Sequence, residues 1–152
     1  MNYPFNFYTE YHQFYIQDKT SEGRTDSDDF WTKMANSDRL AMEDGIIGIA
    51  TECYGPVKGE LIVLDSVNNQ YDPNLYDHVV EGGVELKSGS LQVVGCLDFN
   101  NELEIKLKPG KYRIRVYSSN LDSVVGDKGD DFYKIEIWPS NLLERKVLKR
   151  YQ

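Results

Sequence analysis

Reactive and ligating side chains are scarce in this sequence. Its 152 residues include two cysteines, Cys53 and Cys96, and two histidines, His12 and His78. Neither a CxxC pair nor a Cys/His cluster occurs, which argues against a zinc framework. The two thiols lie in separate strand-like runs and are expected to pack as small hydrophobes rather than to pair. The sequence has no GxSxG or SxxK nucleophile motif and no GxxxxGK[ST] or GxGxxG phosphate loop. Asp77 beside His78, or Tyr11 beside His12, would suit a general base. Two histidines in different strands are more often structural or surface groups, so no catalytic residue and no cofactor is expected. No apolar run approaches the roughly 18–20 residues that span a bilayer. The opening MNYPFNFYTEYHQF lacks a basic region followed by an apolar one, which leads us to expect a cytoplasmic protein.

Positive charge is also short. Lysine and arginine total 17 against 25 aspartates and glutamates, a net charge of −8. The imbalance is uneven: residues 1–60 carry 11 acids and 5 bases, and residues 120–141 carry 5 and 2, while 142–152 reverse the sign with 1 and 4. Nucleic acid and anionic membrane both need a basic footprint, so neither is expected as a direct partner. An acidic body suits solubility, or attraction to a basic protein.

What the chain does have is period-two patterning. In KYRIRVYSS, Tyr112, Ile114 and Val116 alternate with Arg113, Arg115 and Tyr117; in FYKIEIWP, Tyr133, Ile135 and Ile137 alternate with Lys134 and Glu136. Further strands are expected at YHQFYIQD, IIGIATECY (46–54), ELIVLD (60–65), HVVEGGVEL (78–86, with a bulge or bend at Gly82-Gly83), SLQVVGCLD (90–98) and ELEIKL (102–107). Cap-like Ser27–Asp29 followed by Phe30, Trp31 and Met34 predicts a helical insertion near 28–43, stopped by Gly45. The tail NLLERKVLKRYQ is short and basic, with apolar residues at helical spacing. These runs predict a mainly β protein: one antiparallel sandwich domain of about seven to eight strands over 1–140, with a basic tail at 141–152. Its core should contain Ile16, Ile47, Ile49, Leu61, Val63, Leu91, Val93, Leu103, Ile105, Tyr112, Ile114, Val116, Ile135 and Ile137.

The sharpest local feature is the acidic link between the two clearest strands, with Asp122, Asp127, Asp130 and Asp131 against Lys128. Asp127, Asp130 and Asp131, with Asp122 or Asp98 from nearby, would suit calcium, yet the spacing departs from the EF-hand pattern. A calcium-dependent sandwich is the alternative reading, and no metal ligand is assigned. The preferred reading is an inhibitor or immunity-type protein for a basic partner, a nuclease or another toxin, whose candidate surface combines Asp122, Asp127, Asp130 and Asp131 with Asp26, Asp28 and Asp29.

Several short matches occur in order: Tyr11-His12-Gln13-Phe14, Trp31-Thr32, Ala41, Asp44-Gly45, Pro109-Gly110-Lys111-Tyr112 and Asp131-Phe132-Tyr133-Lys134-Ile135. Together, from residue 8 to about 139, they resemble the competence protein J family, whose founding member inhibits the DNA-entry nuclease of competent bacilli. The resemblance implies a small β-rich protein that binds a nuclease and does not catalyse. The chain departs from the family in its GRTDSDD segment, its acidic 120–131 loop and its basic tail.

Overall fold

The computed structural model describes residues 1–23, 25, 29–96 and 101–152. Two sheets stack with their apolar faces together. One has six strands, ordered β1(Asn2–Tyr8)–β5(Pro56–Val63)–β10(Phe132–Pro139)–β9(Gly110–Ser119)–β6(His78–Leu86)–β11(Lys146–Lys149). The other has five: β3(Leu40–Glu43)–β4(Ile46–Ala50)–β2(Gln13–Asp18)–β7(Ser90–Gly95)–β8(Asn101–Lys106). Alternation dictates which residues face inward, so the shared core holds Phe14, Ile16, Ile47, Ile49, Leu61, Leu91, Val93, Ile114, Val116, Ile135 and Ile137. Ile105 and Tyr112 join them, and Val63 and Leu103 pack against them half-buried, which accounts for every expected core residue.

The sandwich is as expected, but four details differ. Eleven strands form among the described residues, and the pairing is not wholly antiparallel, because β10 runs parallel to β5. These two strands approach closely at Gly59, where a Cβ would lie 2.1 Å from the Tyr133 carbonyl. The helical insertion shrinks to one six-residue helix, α1 (Lys33–Asp38), with Thr32 Oγ1 accepting from Ala35 N–H and Arg39 closing it at φ 63°. Leu40–Glu43 is a strand instead, and Asp44-Gly45 is the two-residue turn of the β3–β4 hairpin. Asp-Gly between apolar runs is a hairpin signal as much as a helix stop. Gly82 and Gly83 make no bulge, since β6 keeps continuous register with β9. They are glycines because Leu40 and Leu143 press on them: added Cβ atoms would lie 2.6 and 2.5 Å away.

The fourth difference is the tail. Its apolar residues alternate as a strand, and β11 pairs antiparallel with β6. Three of the four bases of this short basic tail are engaged with the body of the protein. Arg145 Nε and Arg150 Nη2 each donate to the Asp38 carboxylate at 2.7 Å, and Lys149 Nζ donates to the carbonyls of Pro73 and Tyr76. Burial acts to raise the Asp38 pKa, but these two guanidiniums outweigh it and leave the carboxyl below its usual 3.8. The segment between β2 and α1 matters as much: Phe30 and Trp31, with α1, cover the outer face of the five-stranded sheet over Tyr15, Ile46, Val94 and Cys96. Both cysteines are free and buried.

Candidate functional site

One end of the sandwich gathers most of the groups to which the sequence draws attention. It is built from three connections: β1 to β2 (residues 9–12), β4 to β5 (51–55) and β9 to β10 (120–131). The first is a reversal at Tyr11-His12 in which Glu10 and Gln13 bridge. The second is held over the first by Thr9 N–H donating to Gly55 O at 2.7 Å and Thr51 N–H to His12 O at 2.8 Å. Thr9 Oγ1 donates to Gln13 O at 2.6 Å and accepts from Cys96 N–H at 2.8 Å, which ties the first connection to β7 beneath it.

The aspartates expected to form one surface divide in role. Asp131 is buried. Its Oδ2 accepts from Tyr133 Oη at 2.6 Å and from Cys53 N–H at 3.2 Å, while Tyr133 Oη in turn accepts from Glu52 N–H at 2.7 Å. This chain of bonds fixes the 51–55 connection to the start of β10. Burial and then the bond to Asp131 push the Tyr133 hydroxyl pKa well up, so it stays a donor. Asp122, Asp127 and Asp130 are exposed. Asp122 accepts from Tyr151 Oη, and that bond, ahead of burial, pushes the tyrosine up to about 12. Asp130 lends its backbone: its N–H donates to Ser123 Oγ and its carbonyl accepts from Asn120. Asp29 is exposed, one residue before the buried Phe30. Asp26, Asp28 and Asp98 lie outside the described residues.

Two shallow hollows flank the Tyr11-His12 turn. One, of about 400 Å³, is lined by Tyr8, Thr9, Glu10, Tyr54, Gly55 and Asp127. The other, of about 330 Å³, takes in Tyr11, His12, Trp31, Asn36 and Arg39. Asp127 of the 120–131 loop thus lines one of these hollows and Trp31 the other. Sequence reasoning missed the turn itself. Tyr8, Tyr11 and Tyr54 are 78, 57 and 40 % exposed, and a cluster of such tyrosines at loop ends is the kind of signal that marks recognition surfaces.

The histidines differ sharply. His12 is exposed, its ring 5.2 Å from Tyr54 and its Nδ1 3.1 Å from Glu52 O. His78 is fully buried between two backbone groups. Tyr151 N–H donates to its Nδ1 at 3.0 Å, so its Nε2 carries the proton and donates to Asp38 O at 2.8 Å. With both nitrogens engaged, His78 is a strut and not a base. Among the described residues no three His, Cys, Asp or Glu side chains converge to hold a metal ion. Asp131, which the calcium reading needs, is turned inward to Tyr133.

No family model matches this chain, and no curated protein does. Two solved structures share its fold. ComJ from Bacillus subtilis, described as an inhibitor of the DNA degrading activity of NucA, superposes with a TM-score of 0.69 at 18 % identity, over 90 % of this chain and 95 % of ComJ. The product of crocagin biosynthetic gene J superposes with a TM-score of 0.61 at 16 % identity, over 93 % of this chain and 98 % of the other. The fold is thus a known one, and the likeness spans almost the whole of each protein.

Proposed function

We propose that this chain is a non-catalytic, nuclease-inhibitor-like binding module whose partner is a basic protein. The observation that carries the reading is the fold shared with ComJ along nine-tenths of the chain. Charge agrees with it. Nucleases hold polyanions in basic clefts, and a chain of net charge −8 with exposed Asp29, Asp122, Asp127 and Asp130 is drawn to such a cleft. Asp26 and Asp28 belong to the same acidic set by sequence. Asp131 contributes by holding the loops in place, through Cys53 and Tyr133, rather than by contact. Two free buried thiols suit the reducing cytoplasm, where we place the encounter.

The test is capture and identification of the bound protein from the native organism, followed by association kinetics. If charge steers the encounter, the association rate falls as salt rises. In Asp127→Asn/Asp130→Asn protein it falls roughly tenfold at low salt. The melting temperature of that variant stays within about 2 °C of the parent, as expected for surface substitutions that remove no buried bond. A salt-independent rate, unchanged by the double substitution, contradicts the reading.

A further inference from the structure

The Tyr11-His12 turn is built against backbone preference. Both residues take φ of 58°, in a two-residue reversal closed by the Glu10–Gln13 bridge. Turns with positive φ at both central positions are ordinarily Asn-Gly or other glycine-bearing pairs, because a Cβ in the left-handed region is unfavourable. Elsewhere at this end positive φ falls to residue types that tolerate it: Asn120 at 58°, Gly126 at 64° and Gly55 at 107°. Backbone strain of this kind persists where its surroundings over-determine it, and it clusters at functional sites. Here Thr9, Thr51 and Cys96 hold the turn from beneath, through the hydrogen bonds given above.

What the strain presents is a rigid aromatic platform. Tyr11 packs edge-on to Tyr54 with ring centroids 6.3 Å apart, and His12 packs against the same ring at 5.2 Å. Tyr8 lies alongside, its ring 3.4 Å from where a Cβ on Gly55 would stand. Glu10 and Asp127 line the hollow between Tyr8 and Tyr54.

We infer that Tyr8, Tyr11, His12 and Tyr54 form the centre of the partner interface, and that the face it fits presents arginine or lysine side chains. This rests on the reading above that the partner is a basic protein. Tyrosine faces attract guanidinium and ammonium groups, and the carboxylates of Glu10 and Asp127 at the rim supply charge-assisted hydrogen-bond acceptors. Tyrosines also give up little rotamer freedom on docking, which is why they concentrate at binding hot spots. A second copy of this chain does not fit, because it would set acids against acids.

The experiment places a photo-crosslinking p-benzoylphenylalanine at position 11, at position 54, or at the exposed control position 75, in the organism of origin. Irradiation at 11 and 54 is expected to trap one identified protein of basic isoelectric point, and position 75 is not. A second variant, Tyr11→Asn/His12→Gly, relieves the strain and removes the display. With the crosslinker at 54, its trapping yield falls at least tenfold while its melting temperature rises by about 3–8 °C. Equal trapping from 75, trapping of only this chain or of acidic proteins, no trapping at 11 and 54, or undiminished yield in the double variant each overturns the inference. A basic protein trapped through 11 and 54 that has no nuclease activity upholds this surface and refutes the nuclease reading. A nuclease trapped through 75 alone does the reverse.

Discussion

Replacing Glu81 with alanine is expected to destabilise the fold by about 3–5 kcal/mol, the range for removing one partner from a buried ion pair. Glu81 lies on the outer face of the six-stranded sheet, on β6, opposite Arg115 of β9, which is in turn opposite Glu136 of β10. This row of alternating charge is buried: Glu81, Arg113, Arg115 and Glu136 are each 7 % exposed or less. Glu81 Oε1 accepts from Arg113 Nε at 2.7 Å, and Oε2 from Arg115 Nε at 2.6 Å. Each guanidinium makes further bonds through Nη1. Arg113 Nη1 reaches the carbonyls of Leu142 and Glu144, and Arg115 Nη1 reaches Asn68 O and Tyr117 Oη. Tyr71 and Trp138 lie against the Arg115 guanidinium at 4.7 and 5.3 Å. Deleting the carboxylate strands two guanidiniums under cover, where water cannot replace it. Urea denaturation of Glu81→Ala protein should show the loss, with a melting temperature lower by roughly 10 °C. A cost below about 1 kcal/mol, the value of an exposed pair, would mean that this face is open to solvent.

Acid is expected to loosen the fold between pH 6.5 and 4 through His78. Burial, with the nearby charges of Arg39 and Arg150 adding to it, pushes this imidazole down from 6.5 to about 4, against the opposing pull of the Asp38 carbonyl. The folded-state pKa of a base is depressed, so the unfolded chain takes up the proton first as pH falls. The stabilisation is therefore complete above about pH 6.5 and is lost as pH drops towards 4, by on the order of 3 kcal/mol. The geometry gives the cause. Protonating Nδ1 would turn the acceptor of the Tyr151 N–H into a second donor facing it, releasing the end of the tail. Urea titrations at pH 7 and 4.5 should show this loss in the parent and a much smaller one in His78→Gln protein. Identical pH dependence in the two would refute the assignment.

Much of the sandwich was legible in the sequence because alternation is a local property. Tyr112, Ile114 and Val116, or Ile135 and Ile137, face inward whatever their neighbours do. Pairing is not local, and nothing within FYKIEIWP shows that it runs parallel to residues 59–63. Sequence alone overextends the helix, because Leu40 and Ala41 satisfy a helical stripe as readily as a strand, and only the hairpin through Asp44-Gly45 decides between them. In the tail, Leu142, Leu143, Val147 and Leu148 fit helical spacing, but the edge of β6 offers a ladder that a short helix cannot match.

The acidic loop was legible as acidic, though its division of labour was not. Asp127 and Asp131 look alike in sequence, yet Tyr133 and Cys53 claim only the second. The aromatic turn at Tyr11-His12 was hidden for a different reason. YHQF reads as the start of a strand, and positive φ at two residues with side chains is a conformation that sequence preference argues against.

The most direct test of the inhibitor-like reading is DNA degradation by the captured basic protein, measured with increasing amounts of this chain. Activity should fall in proportion to added chain and vanish near one equivalent, with the chain alone degrading no DNA. Full nuclease activity in the presence of a saturating, demonstrably bound excess of the chain would contradict it.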